Sequence, residues 1–165
     1  TVAALSILAI AVASGKAGYV YLSDGKLQDW GITVKAAKNA TDLAGFAQNL
    51  FNNLKPDVVV TENCAKGSRK GSTSRRLIGA IAHLASQNAV LDVSVLRPRR
   101  YPSKYEEAED LAKKHPETVG YLPSKKRRIF DFEPRSMVLF EALALAEEVM
   151  EGPDRRSQAK PDSYV

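Results

Sequence analysis

The chain has 165 residues, of which 44% are hydrophobic and 26% are charged. These proportions are typical of one globular domain with a single substantial core, and they exclude a disordered chain. The formal net charge of +5 at pH 7 favours a polyanionic partner, although many basic proteins bind no nucleic acid. The single cysteine, Cys64, excludes an internal disulfide and a cysteine metal cluster, and it indicates a reducing cytoplasm.

The first part of the chain predicts three antiparallel strands. Residues 6–13 form an apolar run of strand length. We expect a buried strand there, not a signal peptide, because the run has no basic flank and a membrane span needs about 20 apolar residues. A second run covers residues 19–22. The pair Asp24-Gly25 then favours a tight hairpin into a third run over residues 27–34.

After residue 40 the apolar period becomes helical. Thr41 is the expected cap of a helix with one buried stripe, formed by Leu43, Phe46, Leu50 and Leu54. The later elements are strands over 57–61 and 90–96 and helices over 74–88, 105–114 and 134–150, the last with Pro134 in its first turn. This order predicts an α/β fold whose mixed five-stranded sheet has helices on both faces. Residues 1–150 would form the domain, and 151–165 a polar, disordered tail.

Three short segments hold thirteen of the 24 lysine and arginine residues. One follows strand 57–61, one follows strand 90–96, and one precedes the last helix. Their members are Lys66, Arg69, Lys70, Arg75 and Arg76; Arg97, Arg99, Arg100 and Lys104; and Lys125, Lys126, Arg127 and Arg128. If the two strands are parallel neighbours, both loops leave one sheet edge, where a phosphate backbone is the natural ligand. Three solvated surface loops are the alternative.

Glu62 is the most informative acid, since it ends the apolar strand 57–61. A carboxylate in that place is costly unless a metal ion, a cation or hydrogen-bond donors balance it. Metal-dependent phosphodiester cleavage requires a carboxylate beside a basic loop, because the acid holds Mg²⁺ and the loop holds the strand. A strand-end glutamate paired with an arginine fits the position equally well.

The other candidates are less specific when each is taken alone. Glu141 lies inside the last helix, where a solvent-facing side chain is the simpler interpretation. Glu133 is compatible with a metal ligand or with favourable charge at the helix N-terminus. Neither histidine points to a site: we expect His83 to pack within its helix and His115 to lie in a polar turn.

Three motifs together resemble a known family. The opening ILAIAVASGKAGYVYL resembles the first hairpin of the RuvC-like branch of the RNase H-like superfamily, in which a strand of the form ILxID precedes a small-residue turn. The segment PDVVVTEN resembles the strand that ends in the family's catalytic glutamate, here Glu62. FEALALAEEV resembles the C-terminal helix in which an acid, here Glu141, precedes Ala-Leu-Ala. The order and spacing hold over roughly residues 5–150.

The resemblance implies an RNase H-like fold and a nuclease that holds two Mg²⁺ or Mn²⁺ ions between its acids. Several members act on branched DNA as homodimers. DNA, favoured over RNA, is therefore the expected partner, and a second copy of the chain is a further candidate. An apolar face on the helix from Leu77 to Leu84 is compatible with a dimer contact, but equally with the core. No membrane partner is expected.

The chain departs from the family at its first acid. Ala11 stands where the family has an aspartate that bridges both metals, and a methyl group cannot coordinate a metal. Val138 stands at the place of a further acid, one turn before Glu141. We therefore expect very weak metal binding and no cleavage. Two explanations are open: an Asp-to-Ala substitution in an otherwise maintained site, or a natural pseudonuclease that binds without cutting.

The sequence thus predicts a RuvC-like, metal-dependent endonuclease that lacks its first catalytic aspartate. Ala11, Glu62 and Glu141 mark the catalytic positions, Glu62 and Glu141 are the metal ligands, and the basic segments bind the backbone of structured or branched DNA such as a Holliday junction. A non-catalytic nucleic-acid-binding module is the alternative. A third hypothesis is a structural subunit whose basic loops contact another protein.

Overall fold

A computed structural model of the protein describes residues 5–13, 15–63, 71–96, 103–122 and 136–158, with the backbone alone from 151 to 158. Short 3₁₀ segments accompany the strands and helices. In chain order the elements are β1 (Ser6–Ala13), β2 (Lys16–Ser23), β3 (Lys26–Thr33), η1 (Ala36–Lys38), α1 (Ala40–Leu54), β4 (Val58–Glu62), α2 (Ser72–Gln87), β5 (Leu91–Val95), α3 (Lys104–Lys114), η2 (Pro116–Tyr121) and α4 (Met137–Gln158).

The five strands form one mixed sheet in the order β3-β2-β1-β4-β5, which confirms the predicted fold class. β1, β2 and β3 are an antiparallel meander, while β1, β4 and β5 are parallel neighbours. The carboxyl ends of these three parallel strands therefore lie along one edge of the sheet, here called the carboxyl edge. Because β2 and β3 alternate in direction, β2 begins and β3 ends at this same edge.

The core has two layers, one on each face of the sheet. Ile7, Ala9, Val58 and Val60 pack with α3 and α4 on one face. Leu8, Ile10, Val12 and Val59 pack with α1 and α2 on the other face. β1 is buried on both sides, which explains why its sequence is continuously apolar instead of alternating.

Helix α1 begins earlier than its sequence pattern indicated. The cap is Asn39, whose Oδ1 accepts a hydrogen bond from the backbone N–H of Asp42 at 2.8 Å. The predicted cap Thr41 lies inside the helix, so that prediction was wrong. The buried residues are Leu43, Ala47, Leu50 and Phe51, whereas Phe46 and Leu54 are only half-buried beside them.

Helix α2 turns Leu77 and Ile81 towards the sheet, where both are buried. The apolar face considered for a dimer contact therefore belongs to the core of the chain itself. α4 continues to Gln158, inside the predicted tail, whereas Pro134 and residues 159–165 lie outside the described residues. In the described part of the chain, no helix is both long and apolar enough to cross a bilayer.

Candidate nuclease-like site at the carboxyl edge

Ala11 lies near the carboxyl end of β1 and faces α4. It pairs with Gly18 on β2 and belongs to the apolar cluster between the sheet and α4. Its exposed fraction is only 4%. The candidate catalytic position is therefore buried between the sheet and α4, near the carboxyl edge.

Glu62 is the last residue of β4 and shares a face with Ala11. Side chains alternate along a strand, and the clustering of Val58 and Val60 with α4 directs the Glu62 side chain to that same face. Its strand partner Val95 is also in this cluster. The parallel pairing of β1 with β4 runs as far as Ala9 with Val60. Ala11 lies two positions after Ala9, and Glu62 lies two positions after Val60. Both side chains therefore lie at the carboxyl edge, on the face that packs with α4.

The first turn of α4 lies directly on the backbone of β2. A Cβ placed on Gly18 would lie 2.9 Å from the carbonyl oxygen of Val138 and 3.0 Å from its Cγ1. Only glycine allows this approach. Gly18 is also the strand partner of Ala11, so the contact positions the start of α4 beside the candidate site. Val138 itself is 1% exposed.

Glu141 follows Val138 by one helical turn and is half-buried. Its Oε2 is a buried atom that accepts no hydrogen bond from the described residues, although the residue does have an interaction of its own. Ala142, Leu143 and Leu145 around it are buried. The carboxylate is thus directed partly into the protein, and the simpler expectation of a solvent-facing side chain does not describe it.

The described residues do not make a complete site for two divalent cations. Mg²⁺ needs several oxygen ligands, and Ala11 and Val138, which the family resemblance places at two acid positions, offer none. Among the described residues, no group of three His, Cys, Asp or Glu side chains is placed to hold a metal ion. Glu133 lies outside the described residues. The two predicted ligands, Glu62 and Glu141, therefore do not by themselves make a metal site within the described part of the chain.

Comparison with known proteins establishes the fold. No protein-family model matches the chain, and no curated protein is similar to it in sequence. Thermus thermophilus RuvC matches with a TM-score of 0.54 and 13% sequence identity, over 86% of this chain and 91% of that one. The Fowlpox virus Holliday junction resolvase matches with a TM-score of 0.57 and 14% identity, over 89% and 99%. The chain has the fold of the RuvC-type resolvases.

Other structures with the resolvase fold contain nucleic acid. The Fowlpox virus resolvase in complex with substrate Holliday junction DNA matches this chain with a TM-score of 0.56 and 14% identity, over 87% of this chain and 97% of that one. T. thermophilus RuvC in complex with a Holliday junction substrate matches with a TM-score of 0.56 and 15% identity, over 86% and 90%. At sequence identities this low, the structural similarity shows a shared fold only.

Of the predicted basic residues in this resolvase fold, the structure describes three. Arg75 and Arg76 are exposed in the first turns of α2, which follows β4 from the carboxyl edge. Lys104 is exposed at the start of α3. β4 and β5 pair in parallel, which confirms that the two basic segments following these strands both start at the carboxyl edge. The others lie outside the described residues: Lys66, Arg69, Lys70, Arg97, Arg99, Arg100, Lys125, Lys126, Arg127 and Arg128, as does Cys64.

Sequence reasoning overlooked one partly buried acid, Asp92 on β5. Burial raises the pKa of this carboxyl, and the hydrogen bond with Thr61 opposes that shift. Its Oδ1 is buried and accepts no hydrogen bond from the described residues. Asp92 pairs with Val59, whose side chain faces α1 and α2, so this acid lies on the opposite face of the sheet from Glu62. It is not part of the candidate site.

Proposed function

We propose that this chain is a resolvase-like domain that binds structured or branched DNA at its carboxyl edge and does not cleave it as it stands. The supporting observation is the placement of Ala11 and Glu62 on one face of adjacent parallel strands, under a helix that carries Glu141. Arg75 and Arg76 are exposed in the first turns of α2, the helix that follows β4 in the chain, and such cations can contact phosphates.

In an active parent, an aspartate at position 11 would complete the carboxylate set with Glu62 and Glu141. Such a set could hold Mg²⁺ or Mn²⁺, which activates water and stabilises the leaving oxygen in phosphodiester hydrolysis. In this chain the methyl group of Ala11 supplies neither charge nor a ligand atom. The basic edge would then bind DNA without hydrolysing it.

The decisive experiment restores the acid. Purified Ala11→Asp protein is incubated with Mg²⁺ or Mn²⁺ and four substrates: a four-way DNA junction, linear duplex, single strands and an RNA–DNA hybrid. The unaltered chain and an Ala11→Asp, Glu62→Gln double variant are the controls. Cleavage that appears in the Ala11→Asp protein and disappears in the double variant supports a nuclease parent. The preferred substrate identifies its class.

A second candidate is a natural pseudonuclease that only binds nucleic acid. The observation in its favour is that two family acid positions, not one, carry apolar side chains, and both are packed away. Ala11 is 4% exposed and Val138 is 1% exposed. Absence of cleavage by a folded Ala11→Asp protein that still binds the junction would favour this candidate. If neither DNA nor RNA binds even at low salt, both candidates are wrong.

A further inference from the structure

Three lysines outside the predicted basic segments lie along the carboxyl edge. Lys16 begins β2 and pairs with Ala13, the last residue of β1. Thr33 ends β3 and pairs with Ala17, and the chain then enters η1, which is bounded by Lys35 and Lys38. The antiparallel meander thus brings all three lysines to the edge at which β1 and β4 end.

The η1 segment holds two of these lysines in a fixed arrangement. Lys35, the N-cap of η1, and Lys38, its last residue, are three residues apart, which in 3₁₀ geometry is one turn and about 6 Å along the axis. Ala37 between them is 3% exposed and belongs to the core layer that packs with α1 and α2, so η1 reaches the carboxyl edge from the opposite face of the sheet to Ala11 and Glu62. The backbone N–H of Ala36 donates to Thr33 Oγ1 at 3.1 Å. Both lysines are exposed, so they point outwards from an anchored turn.

The stretch of chain that carries the η1 lysines contains no acid, because no Asp or Glu lies between Asp29 and Asp42. These two nearest acids in the sequence make hydrogen bonds to neutral donors. Asp29 accepts hydrogen bonds from the hydroxyl of Tyr19 and from the backbone of Trp30. Asp42 Oδ2 accepts from the Asn39 amide at 3.0 Å. Within the described part of the chain, neither Lys16 nor the two η1 lysines form an ion pair.

Lys16 also shares a face with the candidate site. Along β2, Ala17 packs towards α1 and α2, while Gly18 faces Val138 of α4. Alternation directs Lys16 to the α4 face, the face of Ala11 and Glu62. In the strand order β3-β2-β1-β4-β5, the η1 lysines and Lys16 lie at the ends of β3 and β2 on one side of β1, and Glu62 ends β4 on the other side.

We propose that Lys16, Lys35 and Lys38 form a second phosphate-contacting surface, here called the meander lysine surface. It rests on the proposed function, and it extends the DNA path along the carboxyl edge from the end of β4, which α2 with Arg75 and Arg76 follows in the chain, to the start of β2 and the end of β3. The ends of β3 and β4 are three strand spacings apart, about 14 Å. DNA that contacts the η1 lysines and reaches the end of β4, where Glu62 lies, therefore spans most of the carboxyl edge.

The test is the salt dependence of DNA binding. The dissociation constant of the full chain for a synthetic four-way DNA junction is measured at several salt concentrations. The same is done for Lys35→Gln, Lys38→Gln protein and for a matched control, Lys26→Gln, Lys55→Gln. Lys26 begins β3 and Lys55 precedes β4, so both lie at the opposite edge, and both are exposed. The two double variants lose equal charge.

Each phosphate contact that is lost lowers the slope of log affinity against log salt by about 0.9, so the η1 variant should lose about 1.8 from the slope. The control variant should keep the slope of the unaltered chain. Equal slopes for all three proteins, or equal losses in both variants, would refute the meander lysine surface while the proposed function stands. Failure of the unaltered chain to bind the junction would overturn both.

Discussion

Gly18 of β2 and Val138 of α4 meet backbone to backbone: a Cβ on Gly18 would lie 2.9 Å from the Val138 carbonyl oxygen. Gly18 is the strand partner of Ala11. The close packing of α4 on the sheet at the candidate site therefore depends on position 18 being a glycine, which has no side chain. It also explains why Val138, at a position where the resembled family carries an acid, is fully packed.

We expect Gly18→Ala to destabilise the protein by about 1–3 kcal/mol, because the added methyl group must displace the α4 backbone or the strand. The matched control is Gly45→Ala, an exposed helical position with nothing within 4 Å of the added Cβ. That change should raise stability by roughly 0.5–1 kcal/mol. Urea unfolding measures both values. A Gly18→Ala protein as stable as the unaltered chain would contradict the close approach.

Ala11→Asp should have opposite effects on stability without and with metal. Without metal, the new carboxylate enters a position that is 4% exposed among apolar side chains, which is unfavourable, so the melting temperature should fall. Mn²⁺ that binds the native state should raise it again. Thermal unfolding with and without Mn²⁺ checks this. Ala11→Asn, which lacks the charge, should gain no stability from Mn²⁺, and neither should the unaltered chain.

The sheet could be predicted from sequence because its determinants are local. The continuous apolar run of β1, the Asp24-Gly25 turn and the valines of β4 each specify an element within a few residues. Their order then leaves few topologies for a mixed sheet. For the same reason the sequence pattern predicted Glu62 at the end of a strand, and that strand lies between two parallel neighbours.

Features that depend on distant contacts could not be predicted. His115 was expected in a polar turn, but it is 6% exposed and its Nε2 lies 2.8 Å from Glu147 Oε1 on α4. His83 was expected to pack within its helix, but it is exposed. The close approach at Gly18 was also missed, because no local pattern reports which helix will lie against a strand glycine.

The junction between the starts of β1 and β4 should make stability depend on acidic pH. The Ser6 N–H and Oγ both donate to Asp57 Oδ2 at 3.0 Å. The backbone hydrogen bond from Ser6, and then its hydroxyl, lower the pKa of Asp57. The unfolded chain therefore takes up the proton more readily. The stabilisation is complete above the ordinary pKa, about 3.9, and is lost as pH falls through the lower folded value.

Asp57→Asn should consequently be less stable than the unaltered chain at neutral pH, and the difference should shrink in acid. Urea unfolding from pH 7 to pH 2, read through the linkage relation, tests this. Ser6→Ala is the control, because it keeps the backbone N–H that contributes most to the lowered pKa. A difference between Asp57→Asn and the unaltered chain that stays constant into acid would contradict the assignment.

Tyr19 predicts a second pH dependence, at the alkaline end. Burial, followed by the charge of Asp29 and the hydrogen bond with it, raises the pKa of Tyr19 to about 12. The unfolded chain ionises at about 10, so stability should fall as pH rises from there towards the folded value. Tyr19→Phe should remove this fall, and Tyr21→Phe should leave it in place. Alkaline unfolding of the three proteins decides it, and identical curves would show that the Tyr19 phenol is not shielded.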